Sequence, residues 1–322
     1  VSAGPRRAAQ QAQVPSSGVK FTVLVPTDHL EHAEAAIHGH RLVPYRSTEP
    51  FAADALAAEV LIPPFLSEPQ LVQRAVELPK LRLVQLLTVG ADAWLGRLPA
   101  GVLLSTCRGA HSAATAEWVL TMLLAGYRQL PAFIADAAHG RWQPRATDGL
   151  FGKRVLVVGA GDVGRQVARR LAACEASVTM VGRRGREGVH PVSELPRLLP
   201  GHDVVVLVVP HTEQTRGLVD AAFLAAMPDG AVLVNAARGP VVDTGALLAE
   251  LTSGRLHAAL DVTDPEPLPA DHPLWTAPNV LITPHVAGGV FGLYRRAYGI
   301  AAEQIAAVAD GREPDNLVRG SY

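Results

Sequence analysis

Cysteine is scarce in this chain. Its two residues, Cys107 and Cys174, stand far apart in a sequence of 322. That count excludes a disulfide framework, fits a reducing compartment, and offers no metal-ligand spacing. Each thiol reads as a small buried hydrophobe rather than a nucleophile. A surplus of charge is missing too, since Lys+Arg 29 face Asp+Glu 30 and leave a formal net charge of -1. Such a chain has no bulk attraction for a polyanion, so nucleic acid is not an expected partner. The longest apolar runs are strand-length and broken by Gly or Pro, which excludes a membrane-spanning helix. The first eighteen residues contain Arg6-Arg7 but no apolar stretch of the kind an export signal needs, and they read as a disordered tail. A cytoplasmic protein without a membrane partner is the expectation.

Hydrophobic residues make up 48% and charged residues 18%, which is the composition of a folded, globular chain. Its length exceeds what one compact core usually spans, so two domains are expected. Short strands are predicted at Phe21 to Val25, Leu42 to Tyr45, Val60 to Ile62, Leu83 to Leu87 and Val102 to Leu104, with helix-like stretches between several of them. This alternation predicts α/β architecture with a parallel sheet covered by helices. A long helix, or two, follows over 113–137 and ends at Trp142-Gln143-Pro144. A second β/α series starts at Lys153, with strands at Val155 to Val158, Ser177 to Val181, Val204 to Val208, Ala231 to Asn235, Ala258 to Leu260 and Val280 to Ile282. Six strands at these intervals suit a Rossmann-type doubly wound sheet. Helical pattern returns over 291–310, and a tail folding back onto the N-terminal half would leave a cleft between two domains.

The second series opens on Val155-Leu-Val-Val-Gly159-Ala-Gly161-Asp162-Val163-Gly164, a strand running into G-x-G-x-x-G, and continues as a helix over 165–171. Gly159 permits the tight turn, Gly161 lets backbone approach a pyrophosphate, and Gly164 lets helix and strand pack closely. The helix N-terminus offers free N–H groups to the phosphates. With 29 glycines in the chain, chance supplies the bare triple about 0.2 times, so the flanking strand and helix carry the assignment. An acidic residue closing the next strand would hold the ribose 2′-OH of NAD(H). Here the strand ends Val181-Gly182-Arg183-Arg184, with Arg186 following. Two guanidinium groups in place of a carboxylate favour NADP(H), with NAD(H) the second choice; a merely solvated basic loop has the same composition.

Three later segments each follow a strand and therefore lie at the carboxyl edge of the sheet: Asn235-Ala236-Ala-Arg238-Gly-Pro, Leu260-Asp261-Val-Thr-Asp-Pro-Glu266-Pro, and Thr283-Pro-His285-Val-Ala-Gly288. With Pro210-His-Thr-Glu-Gln-Thr215-Arg-Gly and His272-Pro-Leu-Trp, in this order, the chain resembles the D-isomer-specific 2-hydroxyacid dehydrogenase family from about Lys20 to its end. The resemblance implies catalytic roles for Arg238, Glu266 and His285. It further implies cofactor contacts from Thr115, Pro210, Thr215, Ala236, Arg238, Asp261, His285 and Gly288, with Asp261 at the nicotinamide carboxamide. Substrate contacts fall to Val89, Gly90, Arg238 and His285, the family pattern having a further glycine where Ala91 stands. Ile62-Pro-Pro64-Phe65 falls where the family lines its substrate pocket, although core packing has the same composition. Trp118 and the Ala-rich helices after it suit a homodimer contact, although core burial predicts them equally.

The chemistry explains the residue types. Reducing a 2-oxo acid puts negative charge on the carbonyl oxygen as hydride reaches the carbon. An imidazolium can deliver the proton, and histidine titrates near ~6.5 when free. A carboxylate bonded to it favours and orients that form, while a guanidinium binds the substrate carboxylate and polarises the carbonyl. The family's fold implies a flavodoxin-like α/β substrate domain over 19–107 and 288–322, with the dinucleotide-binding domain over 108–287. The expected substrate is a small 2-oxo acid of the glyoxylate or hydroxypyruvate kind. Phosphite and phosphoglycerate dehydrogenases of the same family, and nucleotide-sensing corepressor scaffolds of the same fold, stay open. Formate dehydrogenases carry glutamine where Glu266 stands. His38-Gly39-His40 reads as an exposed turn without a third metal ligand.

Overall fold

The computed structural model describes residues 20–65 and 69–319, and the N-terminal stretch read as a tail lies outside them. Two parallel sheets organise the chain. The first contains β1 (Thr22–Pro26), β2 (Arg41–Tyr45), β3 (Val60–Leu61), β4 (Leu83–Gln85) and β5 (Leu103–Ser105), in the order β2-β1-β3-β4-β5. That is the doubly wound order of flavodoxin-like folds. The helices α1 (Leu30–Ala36) and α2 (Pro69–Arg74) connect its strands. β1 reads TVLVP and is buried on both faces after its first residue, as a parallel strand between two helical layers must be.

A helical segment then leads to the second sheet. The predicted helical stretch is split into α3 (Ser112–Tyr127) and α4 (Leu130–Ala138). The break falls at Gln129, with φ 51°, just before Pro131 in the first turn of α4. Proline cannot donate to the preceding turn and restricts the residue before it, so one continuous helix is ruled out there. The second sheet contains β6 (Arg154–Val158), β7 (Ser177–Gly182), β8 (His190–Pro191), β9 (Val204–Leu207), β10 (Val232–Asn235), β11 (His257–Leu260) and β12 (Val280–Ile282). Its order is β12-β11-β10-β9-β6-β7-β8. The hydrophobic pattern predicts six of these strands. The seventh, β8, has two residues and ends in proline, so it carries no periodic signal and is tolerated only at a sheet edge. Between them lie α5 (Asp162–Ala173), α6 (Leu195–Leu198), α7 (Ala221–Ala225) and α8 (Thr244–Thr252). The chain leaves β6 in one direction for β7 and β8, then crosses back to β9. This reversal opens the crevice where ligands bind in such sheets.

The last helix, α9 (Leu293–Ala309), packs on the first sheet rather than the second. Ala297, Tyr298, Ala301 and Ile305 are buried among Phe21, Val23, Val60 and Leu83. The segment after it returns to the edge strand: Val318 N donates to Leu104 O at 2.8 Å and Thr106 N to Asn316 O at 3.1 Å. Cys107 is buried in this same core and donates to Ala297 O at 3.2 Å, while burial pushes its thiol up to about 12. A thiolate is out of reach there. Cys174 is half-buried. His40 departs from the exposed turn expected of it: it is half-buried and its Nδ1 accepts from Phe21 N at 3.1 Å. Among the described residues no helix is long and apolar enough to cross a membrane.

Ile305 is fully buried in the core built by the first sheet. Truncating Ile305→Ala should therefore cost about 2–5 kcal/mol in denaturant unfolding. A loss below about 1 kcal/mol would show that α9 is dispensable for that core.

Candidate active site

The glycine loop after β6 is shaped by three different demands. Gly159 has φ 124°, and a Cβ there would lie 2.3 Å from Val208 O. A Cβ on Gly164 would lie 1.9 Å from Gly159 O, so helix and loop touch backbone to backbone. At Gly161 an added Cβ would meet nothing within 4 Å. The polypeptide itself therefore explains the first and third glycines but leaves room at the second, as a cradle for a group outside the chain requires. Gly161 caps α5, and Arg165 N donates to Gly161 O as the helix begins. The amides of Asp162, Val163 and Gly164 come in the first turn, where helical N–H groups have no acceptor of their own. Val167 and Leu171 anchor α5 on the sheet.

After β7 the basic cluster divides. Arg186 turns back and donates to Ala160 O at 2.8 Å, bracing the glycine loop. Arg183 and Arg184 are exposed at the sheet's carboxyl edge. No acidic side chain follows β7 before Glu187. After β9, Thr215 Oγ1 donates to Pro210 O at 2.7 Å and closes the loop on itself. Thr115 is buried in the first turn of α3. Together these residues fit a nicotinamide dinucleotide lying across the carboxyl ends of β6, β7 and β9.

The loop after β10 is set by a side chain that sequence reading passed over. Asn235 is buried, its Nδ2 donating to Arg238 O at 3.1 Å and its Oδ1 accepting from Ala237 N at 3.0 Å. This fixes the segment carrying Ala236 and Arg238. Gly239 was passed over as well. A Cβ there would stand 1.9 Å from Thr263 O, so only glycine lets the Arg238 loop lie against the Glu266 loop.

Across that contact His285 Nδ1 and Glu266 Oε1 are 2.6 Å apart. The hydrogen bond with His285 holds the Glu266 carboxyl below the usual carboxylate range; the charges of His285 and Arg238 act in the same sense and burial opposes them. His285 sits at φ 54°, a left-handed conformation that histidine tolerates better than branched residues. Asp261 holds it there, a task not evident in the sequence. Asp261 is 3% exposed; its Oδ1 accepts from Val286 N at 2.8 Å and Thr283 Oγ1 at 2.7 Å, and its Oδ2 from Ala287 N at 2.9 Å. Its carbonyl accepts from His285 N at 2.7 Å. Trp118 Nε1 donates to Thr283 Oγ1 at 3.0 Å, so this half-buried indole also braces the turn that carries His285.

From the first sheet comes the loop of Val89 and Gly90. A Cβ on Gly90 would meet Arg238 Nη2, so the absence of a side chain here leaves the guanidinium room to lie against this loop. Ala91, where the family pattern has glycine, is fully buried, and its methyl packs in the core of the first sheet. His111, another residue not singled out in the sequence, ties the region together: its Nε2 lies 2.8 Å from Leu87 O, and its ring abuts Gly288 and Phe65. Burial pushes His111 below the usual imidazole range. Phe65 is half-buried against the core of the first sheet as well as His111.

The model of the D-isomer specific 2-hydroxyacid dehydrogenase NAD binding domain matches residues 120–287. A D-3-phosphoglycerate dehydrogenase of Archaeoglobus fulgidus is 35% identical over 227 residues, 68% of this chain but 43% of that one. The chain thus spans less than half the length of that relative. A glyoxylate/hydroxypyruvate reductase B of Citrobacter koseri is 32% identical over 259 residues, covering 75% of this chain and 79% of that one. Among solved structures, a D-isomer specific 2-hydroxyacid dehydrogenase of Xanthobacter autotrophicus Py2 in complex with NADPH and MES superposes with TM-score 0.81 at 32% identity, over 94% of this chain and 98% of that one.

The glycine geometry separates two substitutions. Gly161→Ala should leave thermal stability within about 0.5 kcal/mol of the parent, yet weaken dinucleotide binding about ten-fold or more in a fluorescence titration. Gly164→Ala should instead unfold the chain more readily, because its Cβ meets backbone. Equal effects of the two on stability would contradict a cradle at Gly161.

Proposed function

Because the chain belongs to the D-isomer-specific 2-hydroxyacid dehydrogenases, we propose that it is an oxidoreductase reducing a small 2-oxo acid of the glyoxylate or hydroxypyruvate kind to the D-2-hydroxy acid, with NADPH as the preferred donor. The observation that carries this reading is the 2.6 Å His285–Glu266 pair standing beside Arg238, at the edge of the sheet that bears the glycine loop. We assign residues 108–287 to the dinucleotide domain, and 19–107 with 288–322 to the substrate domain.

The reduced nicotinamide, when bound, supplies the hydride. Gly159, Gly161 and Gly164, with the first amides of α5, receive its pyrophosphate, while Arg183 and Arg184 grip the ribose 2′-phosphate. His285 gives its proton to the substrate carbonyl oxygen as charge develops there, and regains one from solvent or from the hydroxy acid in reverse. Glu266 holds the imidazole ring by Nδ1, which leaves Nε2 as the donor. Arg238 takes the substrate carboxylate together with the amides of Val89 and Gly90, and draws electron density from the carbonyl.

Similarity to a D-3-phosphoglycerate dehydrogenase supports a second reading, a phosphoglycerate dehydrogenase of the same family. A corepressor-like scaffold would bind dinucleotide without turnover. The homodimer reading draws on α4, where Leu130 and Ile134 share an exposed face, four residues apart, and Trp142 is 95% exposed. Asp136 pairs with Arg141 and Arg145, so the loop bearing Trp142 is held against α4.

Steady-state reduction of a panel of 2-oxo acids with each cofactor should show higher kcat/KM with NADPH than NADH. Replacing Arg183 and Arg184 together with serine should raise the NADPH KM about 10–100-fold and leave the NADH value nearly unchanged. A clear NADH preference in the parent overturns the cofactor assignment. His285→Ala should lower kcat about 10²–10⁴-fold with cofactor affinity retained.

Glu266 supplies the pH test. Its carboxyl is held below the ordinary range, so the bonded pair is fully formed above about pH 4.3 and is lost only as pH falls through the lowered value. Rapid-mixing rates should therefore show an acid limb below about pH 4.3 that is missing in Glu266→Gln. The same acid limb in that variant would assign it to another group.

A further inference from the structure

Arg238 must point in a fixed direction to grip a carboxylate, and its own segment supplies only part of that direction. Asn235 fixes the backbone, and Nη1 donates to Ala237 O at 2.7 Å. A guanidinium held by one carbonyl of its own loop still turns about its outer torsions. The remaining hold comes from the other sheet, where Asp92 Oδ2 lies 3.3 Å from Arg238 Nε. Asp92 is carried on a stiff turn: Trp94 N and Leu95 N both donate to Ala91 O, and the Ala91 and Trp94 side chains are buried in the core of the first sheet. The carboxylate is only partly occupied, since Asp92 Oδ1 is buried without a partner. The two side chains are 34% and 28% exposed, so the pair contributes little to stability and its consequence lies in orientation.

We propose that Asp92 is the positioning residue for Arg238: by occupying Nε from the first sheet it turns Nη2 toward Gly90 and the amides that receive the substrate carboxylate. This rests on the substrate role given to Arg238 above. A carboxylate so near an anion site has an opposite reading with an opposite sign. If Asp92 merely competed with substrate for Arg238, its removal would tighten binding.

Asp92→Ala and Asp92→Asn, made in the full chain and assayed with saturating cofactor, separate the two. Asp92→Ala is expected to raise the KM for the best 2-oxo acid of the panel at least ten-fold, with cofactor affinity within two-fold and melting temperature within two degrees of the parent. Asp92→Asn keeps an acceptor oxygen and should recover most of that loss. A lower or unchanged KM in both variants overturns the proposal. So does a rise matched by equal loss of cofactor affinity and stability, which would mean a collapsed loop. A second readout is independent of turnover: the Arg238 Nε–Hε resonance, assigned by its loss in Arg238→Lys, should be protected from solvent exchange in the parent and exchange-broadened in Asp92→Ala. The same protected signal in both overturns the proposal whatever the substrate. A parent that turns over no 2-oxo acid defeats the reading under Proposed function, and the resonance then decides the inference on Asp92.

Discussion

Asp261 carries its carboxyl group where water hardly reaches, and the turn after β12 is built around it. Two amides and a hydroxyl from that turn converge on its oxygens, and its carbonyl takes the amide of His285. A left-handed histidine costs conformational energy that an unsupported loop would relieve by relaxing. Here the acceptors lie at the end of β11, in register with β12 through Leu260 and Ile282, so the sheet itself sets where the imidazole stands. The chain of contacts extends through Thr283 to Trp118 on α3. Removing any member would leave a buried polar group without its partner, which is why the site is stiff rather than adaptable.

Close approach at two glycines supplies the second constraint. Gly239 against Thr263 brings the Arg238 and Glu266 loops together, and Gly90 against Arg238 brings the first sheet up to the second. Between them, His111 reaches from the start of α3 to Leu87, where the loop of Val89 and Gly90 begins, and to Gly288, where the chain leaves the second sheet for α9. Groups from both sheets therefore meet at one place, with Glu266 against His285 and Asp92 against Arg238.

Much of this was legible in the residues. The strand periodicity marks every strand of the two sheets but β8, and the glycine spacing marks the loop before α5 with the reasons for Gly159 and Gly164 intact. His285, Glu266 and Arg238 stand out because each follows a strand of a parallel sheet, and such positions share one edge. Less legible were Asn235, Asp261 in its turn-holding role, Gly239 and His111. Nothing local distinguishes a buried asparagine or aspartate that bonds backbone from one in a solvated loop; the difference lies in which amides arrive from distant segments.

The sequence by itself determined the element types, the alternation of strand and helix, and the chemistry available, because hydrophobic period and residue type are properties of short stretches. Tertiary structure decided which groups face one another: that Arg186 braces Ala160, that Trp118 bonds Thr283, and that Asp92 reaches Arg238 across two sheets. Those outcomes depend on sheet order and loop approach over separations of more than a hundred residues in the last two cases, which no local pattern encodes.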